Sequence, residues 1–249
     1  MKHLRIAGLC LVSMFVMSMA LAGNAAAALL WLVCLERSGT LTKYNNNQCT
    51  EASGTGKWQS LGLTVCPENC SDTVRLLAFT LKLEDSNAAA IQCSDVGNST
   101  GLIESGNTGI IREARITKAL AESLCEVRKP FLTCKAAGNI EGVEGRNLPW
   151  TIEIFTTENK NLTQIKAEKG KPGWAVTCGG ATDTCEEEAG KPEFAELLNG
   201  VTKGVLLVLA RFEEKGPAKC SVGGVGAGHV TGLVAVLLWS GNGLSINPR

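Results

Sequence analysis

The sequence has few of the residues on which most enzyme chemistry depends. It contains two histidines in 249 residues, and one of them, His3, lies in the N-terminal segment described below. The other, His229, gives little support for a Ser-His-Asp or Cys-His catalytic arrangement. Metal sites built from several histidines are excluded. We therefore predict no catalytic residue, no metal and no cofactor, and we favour a protein that is not an enzyme.

Net charge and long apolar segments are also missing from most of the chain. The 24 basic residues balance 24 acidic ones, so no strong field attracts nucleic acid or an anionic membrane. The apolar runs at 205–210 and 233–239 are far shorter than the roughly 18 residues that cross a bilayer as a helix. Both runs favour buried strands. We predict no nucleic-acid partner and no membrane span in the mature protein.

The N-terminus has the pattern of a secretory signal. Two basic residues precede an uncharged run that ends in Met19-Ala-Leu-Ala22. Small residues at the end of such a run mark a signal-peptidase site, and further alanines leave cleavage open from 22 to 28. We predict a signal peptide over residues 1–22, and a protein that is secreted or held at the extracytoplasmic cell surface. The alternative is an uncleaved N-terminal anchor.

Cysteine usage agrees with export. Of the 11 cysteines, Cys10 lies in the signal segment, which leaves an even number. In an exported chain this is typical of a disulfide framework, although spacing alone leaves the connectivity open. A zinc site at the closest pair lacks a second close pair or a nearby histidine. Pairing near neighbours predicts Cys34–Cys49, Cys66–Cys70, Cys125–Cys134 and Cys178–Cys185, with Cys93–Cys220 as the remaining bridge.

A cysteine-serine pattern followed by spaced glycines occurs twice. The form C-S-x-x-G-x-x-x-G-x-[IV] begins at Cys93 and again at Cys220, each time after an apolar run that ends in acidic residues. This repetition indicates two duplicated β-rich halves, residues 29–134 and 149–249, packed as one globular unit. Chance similarity in a glycine-rich chain is the alternative. By the same comparison His229 corresponds to an apolar residue, so we interpret it as a strand residue.

Most of the remaining chain has strand patterns. Residues 150–155 and 162–167 predict one hairpin, and 174–178 and 182–185 predict a tighter one. Two segments favour helix by composition, 110–125 and 192–198. We therefore predict an all-β fold, a disulfide-stapled sandwich or barrel with at most one or two short helices.

Five ordered motifs carry a resemblance to known proteins: "WLVC", "NLPWT", "PGWAVTC", "TDTCE" and "AKCSVGGVGAGHVTG". Together they make the chain similar to a family of uncharacterised secreted, cysteine-containing, β-rich proteins of soil actinobacteria. The resemblance implies an exported cell-envelope or extracellular β protein, and it favours strand rather than helix at 110–120. It supplies no catalytic residue. The Cys66/Cys70 pair and the apolar C-terminal strand depart from the family pattern.

Two functional hypotheses follow. The first is a non-catalytic binding or structural protein whose partner is an envelope polysaccharide or protein. An exposed tryptophan would then stack on a sugar, although most tryptophans are expected in the core; they are Trp31, Trp58, Trp150, Trp174 and Trp239.

The second hypothesis is an extracellular hydrolase that uses paired carboxylates. The candidate pairs are Asp183 with Glu186 to Glu188, or Glu84 with Glu213, which occupy equivalent places in the two copies of the repeat. A solvated turn is the ordinary explanation for such acidic residues after a strand.

Overall fold

Strands dominate the structure, a computed structural model. It describes residues 29–37, 43–62, 72–86, 90–104, 106–129, 136–157, 160–188, 194–213 and 218–247. Strands make up 69% of these residues beside one α-helix, which confirms the predicted all-β class. The expected signal segment lies outside the described residues.

Eight strands close into a barrel, which selects the barrel from the two predicted architectures. In spatial order they are β5 (Asp72–Asp85), β7 (Val96–Ile103), β8 (Thr108–Glu113), β12 (Trp150–Thr156), β13 (Asn161–Ala167), β16 (Phe194–Thr202), β17 (Val205–Phe212) and β19 (Gly224–Leu238). The ring closes where β19 pairs with β5 in antiparallel register. Each barrel strand therefore has two neighbours, and the barrel has no unpaired edge.

A second sheet continues from the barrel as an open half-barrel. Its own strands are β6 (Ala90–Cys93), β9 (Arg115–Thr117), β10 (Cys125–Lys129), β11 (Ile140–Arg146), β14 (Gly173–Cys178), β15 (Ala181–Glu187) and β18 (Ala218–Cys220). The order across it is β10-β6-β5-β19-β18-β15-β14-β11-β9, with β5 and β19 shared with the barrel.

The shared strands β5 and β19 are the longest in the molecule, at 14 and 15 residues. Each pairs with a barrel strand over one part and with a half-barrel strand over the other. Their register shifts between Leu233 and Val234, where Phe79 is the extra residue on β5. The neighbouring Gly232 has φ +119, and a Cβ there would collide with the carbonyl oxygen of Thr80. This bulge bends the ladder from one sheet into the other.

A small third sheet covers one end of the barrel. Its order is β20 (Leu244–Ile246), β1 (Trp31–Glu36), β4 (Trp58–Gly62), β2 (Lys43–Tyr44) and β3 (Ala52–Ser53). Trp31 and Val33 of β1 are buried against the barrel core, together with Leu244 and Ile246. The side chains of this sheet therefore close the base of the barrel.

The segment 110–125, for which composition favoured helix and the resemblance favoured strand, contains both. It begins in β8, passes through β9 and ends in α1 (Lys118–Leu124). Ala121 of α1 is fully buried in the half-barrel core. The helix predicted at 192–198 is wrong, because 194–198 belong to β16 and pair with β13 and β17. Within the described residues no helix is long and apolar enough to cross a membrane.

Both predicted hairpins are confirmed. β12 and β13 pair in register from Trp150↔Ala167 to Thr156↔Asn161. β14 and β15 pair from Gly173↔Glu186 to Cys178↔Ala181. The local alternation of apolar and polar residues was sufficient for these contacts because the paired strands adjoin in sequence.

One of the predicted disulfides is confirmed, Cys34–Cys49, which ties β1 to the turn after β2. Cys93 pairs with Cys125, directly opposite it on β6 and β10. Cys185 pairs with Cys220, directly opposite it on β15 and β18. Cys178 is also disulfide-bonded.

The other predicted pairings fail for reasons of register. Cys178–Cys185 is wrong because the hairpin places Cys178 opposite Ala181 and Cys185 opposite Trp174. Cys93–Cys220 is wrong because β6 flanks β5 whereas β18 flanks β19. Cys125–Cys134 is wrong because Cys125 is bridged to Cys93. The predicted Cys66–Cys70 pair and Cys134 lie outside the described residues.

Candidate ligand-binding cavity

A partly open cavity of about 210 Å³ lies within the barrel. Much of its wall consists of side chains at alternate strand positions, which share the inward face because side chains alternate across a strand. Ser99 and Thr163 supply the hydroxyl groups on this wall, and the surrounding side chains are apolar. The apolar wall includes Leu76, Ile111, Ile152, Ile165, Ala210 and Val234, each from a different barrel strand.

The cavity follows the shared ladder from the barrel into the half-barrel. On β5 it is lined from Val74 to Leu83, a length of about 30 Å at roughly 3.3 Å per residue. At its far end it reaches Trp174 and Cys185, which belong to the half-barrel core. The space is therefore elongated, and it joins the two hydrophobic cores of the molecule.

The two ends of the cavity differ in polarity. Trp31 lines the end at the base of the barrel, where its backbone N–H donates to Gly106 in the turn between β7 and β8. Among the described residues, the charged ones that line the cavity are Arg115, Glu144 and Glu187. Arg115 and Glu144 are exposed, so the cavity meets solvent beside them.

Three polar atoms on cavity-lining side chains are buried without a hydrogen-bond partner among the described residues. They are the indole Nε1 of Trp31, the hydroxyl Oγ1 of Thr163 and the indole Nε1 of Trp174. The three residues are 1%, 5% and 6% exposed, respectively. A buried donor that makes no hydrogen bond loses its hydration without compensation. Such groups are uncommon in proteins, and here all three belong to one cavity wall.

A pair of buried carboxyl groups lies at the end of the half-barrel. Asp85 at the end of β5 and Asp183 on β15 are 0% and 1% exposed, and their carboxylate oxygens lie within 4.8 Å of one another. Burial raises the pKa of Asp183; the Ser221 hydroxyl, which donates to Asp183 Oδ1 at 2.9 Å, opposes the rise, and the charge of Asp85 adds to it. The raised pKa means that folding favours the protonated, neutral form of Asp183.

The carboxyl pair does not offer a metal centre. Cys185 and Cys220 lie in the same cluster, but their sulfur atoms are joined in a disulfide and are not thiolate ligands. Two carboxyl groups alone fall short of the six to eight oxygen ligands that Ca²⁺ takes.

The structure separates the carboxylates that the sequence suggested as catalytic pairs. Asp183 and Glu186 lie on opposite faces of β15, because they are an odd number of residues apart in a strand. Glu187 shares the face of Asp183 but lies four residues along the strand, roughly 13 Å away, and Glu188 follows the end of the strand. Glu186 lies beside an open surface groove and accepts a hydrogen bond from Asn147. Glu84 forms an ion pair with Lys82 on its own strand.

The other predicted carboxylate, Glu213, belongs to a charged network on the outer face of the barrel. Arg211 and Lys160 both form ion pairs with Glu213 and with Glu196. Burial alone would raise the pKa of Glu196, but the hydrogen bond from Arg211 and the two positive charges outweigh it, so this pKa is lowered. Glu213 is thus ion-paired with Lys160 and Arg211 rather than placed beside Glu84 as a second catalytic acid.

The tryptophans are distributed between core and surface. Trp31 and Trp174 are buried, as expected, whereas Trp58 and Trp150 are half-buried. Trp239 is 63% exposed, and the guanidinium carbon of Arg75 lies 5.4 Å from its ring centroid. The one largely exposed ring in the described part of the chain is therefore already stacked on a cation.

His229 lies in β19 opposite Glu84, which confirms its interpretation as a strand residue. The glycines before it begin the strand and accommodate close contacts. A Cβ at Gly228 would lie 2.7 Å from the Cβ of Ala218 and 2.8 Å from the sulfur of Cys220.

Comparison with known proteins finds no matching family model, no matching curated protein and no matching solved structure. The functional interpretation therefore depends on the geometry of this chain.

Sequence reasoning did not identify the cavity. Its wall is assembled from residues on all eight barrel strands, and no local pattern distinguishes an inward residue that lines a space from one that fills a core. The available signal was the pairing of long apolar strands with small residues such as Ala210 and Ser99 at inward positions.

Proposed function

We propose that the protein is an extracytoplasmic binding protein that holds an apolar small molecule inside its barrel. The observation that carries the proposal is the elongated apolar cavity within the closed barrel. Eight-stranded barrels are just wide enough to be filled by side chains or to hold one small ligand. In this chain the interior is left partly unfilled.

The energetic cost of the cavity supports a ligand. The apolar side chains around this space lack packing partners on one side, which costs free energy because dispersion contacts and apolar burial are lost there. Occupation by an apolar molecule recovers this free energy, because dispersion contacts and apolar burial are restored.

An extracytoplasmic location is part of this proposal. The three described disulfides are consistent with it. The N-terminal signal pattern and the resemblance to secreted actinobacterial proteins support export. A carrier outside the cytoplasm encounters apolar molecules of the envelope or the medium, which are poorly soluble in water.

Two other roles have weaker support. A carboxylate-based hydrolase needs acids that touch substrate, yet Asp85 and Asp183, whose carboxyl groups lie close together, are buried. A sugar-binding platform needs a free aromatic face, yet Arg75 lies over Trp239.

The test uses N-phenyl-1-naphthylamine, a neutral fluorophore whose emission rises in apolar surroundings. We expect the mature protein to bind it at a single site. Ala210→Phe, which places a ring inside the cavity between Leu197 and Val234, should weaken binding at least ten-fold. Val234→Phe provides a second filling variant, in case the first does not fold.

Ala119→Phe, on the exposed side of α1, is the matched control and should bind like the wild type. If both filling variants fold and keep the wild-type affinity, the probe lies elsewhere and the proposal is wrong. Absence of binding to the wild type would equally contradict it.

A further inference from the structure

The cavity wall carries more specific information than its apolar character. We propose that the ligand is a neutral, elongated molecule with carbonyl or ether oxygens, such as an ester or ketone on an apolar chain. This inference rests on the proposed binding function. It derives from three side chains of the cavity wall, each of which carries a buried polar atom with no hydrogen-bond partner among the described residues.

The chemistry of these atoms defines what they bind. The indole N–H groups of Trp31 and Trp174 are donors only, and the Thr163 hydroxyl is able to donate. A ligand that satisfies all three must present acceptor oxygens. A pure hydrocarbon would fill the space but leave the donors unsatisfied, whereas a carbonyl or ether oxygen accepts a hydrogen bond without bringing a donor of its own.

The charges on the wall exclude an anionic ligand. Arg115 is the one basic residue that lines the cavity, and it is accompanied by Glu144 and Glu187. Arg115 is exposed where the cavity meets solvent, so a carboxylate held deeper inside the barrel would be desolvated with no positive partner beside it, which is strongly unfavourable. A neutral ester or ketone avoids this penalty. The assignment is thus to a neutral oxygenated chain, in preference to a fatty acid.

The positions of the donors agree with an elongated ligand. Trp31 lies at the base of the barrel, Thr163 lies on the barrel wall, and Trp174 lies in the half-barrel core. The donors are therefore spread along the cavity instead of being clustered at one point. A chain with oxygens at more than one position would use more than one of them.

The experiment measures displacement of N-phenyl-1-naphthylamine by three compounds of similar length: methyl decanoate, undecane and decanoate. We expect the wild type to bind the ester about five-fold more tightly than the hydrocarbon, since one buried hydrogen bond contributes about that factor. Decanoate should bind most weakly. Trp174→Phe, which removes an N–H and keeps an aromatic ring, should lower the preference for the ester.

Thr163→Val distinguishes a hydroxyl that binds ligand from one that only stabilises the fold. Because it removes a buried polar atom without a partner, it should raise Tm of the ligand-free protein while abolishing the ester preference. Thr151→Val, at an exposed threonine on β12, is the control and should change neither.

The outcomes separate the two proposals. Equal affinity for ester and hydrocarbon, or tighter binding of decanoate, would overturn the ligand class and leave apolar binding intact. A lower Tm in Thr163→Val with unchanged ester preference would assign the hydroxyl to stability and also overturn it. Failure of all three compounds to displace the probe would contradict binding in the cavity itself.

Discussion

The closed barrel and the open half-barrel share two strands but are stabilised in different ways. All seven cysteines that the structure shows in disulfides lie outside the eight barrel strands. In the half-barrel, two of the described bridges join cysteines directly opposite one another on neighbouring strands. The eight barrel strands, in contrast, carry none of these cysteines, and all eight contribute residues to the cavity wall.

This difference follows from the edges of the two sheets. A closed ring satisfies the backbone of every strand, so its interior is free to be under-packed. The half-barrel ends in the edge strands β9 and β10, and covalent links compensate for the pairing that an edge strand lacks. Cross-linking is therefore concentrated in the half-barrel, whereas most of the cavity wall comes from the barrel strands, and each part is open to a separate test.

The largest effect should come from removing a bridge of the half-barrel. The double variant Cys93→Ala/Cys125→Ala opens a loop with a sequence separation of 32, which we expect to lower the free energy of unfolding by about 4 kcal/mol. Chemical denaturation measures this loss. Hydrogen exchange should show faster opening of β6 and β10 than of β12 and β13. Uniform acceleration across both sheets would contradict the division.

A matched pair of enlargements should distinguish the two interiors. Ala121→Leu adds volume to a fully buried site in the half-barrel core and should cost about 1–3 kcal/mol. Ala210→Leu adds the same atoms beside the cavity and should cost less than about 1 kcal/mol, because space is available. Thermal denaturation of both proteins compares them. An equal loss in the two variants would mean that the barrel is as tightly packed as the half-barrel.

The smallest expected effects are on the pH dependence of stability, and they should have opposite signs for Asp183 and Glu196. The raised pKa of Asp183 contributes stability below its unfolded pKa of about 3.9, and this contribution is lost as pH rises through the folded value. The lowered pKa of Glu196, on the barrel, contributes stability above about pH 4.3; this contribution is lost as pH falls through its folded value. The measurement is the free energy of unfolding of both variants across pH 3–8. Asp183→Asn should remove a fall in stability with rising pH, and Glu196→Gln should remove a rise in stability with rising pH. Slopes of the same sign would refute this prediction.

What the sequence predicts well in this protein is local. The alternation in Trp150–Thr156 and Asn161–Ala167 predicted a hairpin because the paired residues are close along the chain. Residues 194–198 were predicted as helix from their composition and a nearby proline, but pairing on both sides places them in a strand. Tertiary pairing outweighs weak helix propensity.

Contacts between segments that are distant along the chain could not be predicted from local sequence patterns. Barrel closure pairs Val74 with Leu238, and no turn signal connects residues so far apart. The bridges Cys93–Cys125 and Cys185–Cys220 join cysteines that only the sheet register brings opposite. The same limit applies to the candidate site, since the cavity wall and its buried donors come from strands distributed along the chain. The duplication of residues 29–134 and 149–249 stays a prediction.

Because the barrel and the half-barrel share the ladder between β5 and β19, the chain cannot be divided into two independent parts. A fragment that ended before β19 would leave β5 with a bare flank along both sheets, and one that began after β5 would do the same to β19. Neither fragment would fold as a smaller version of the protein. Each would expose a long unpaired strand edge, which promotes aggregation. Shortened expression products should therefore keep both strands, and trimming belongs at the chain ends.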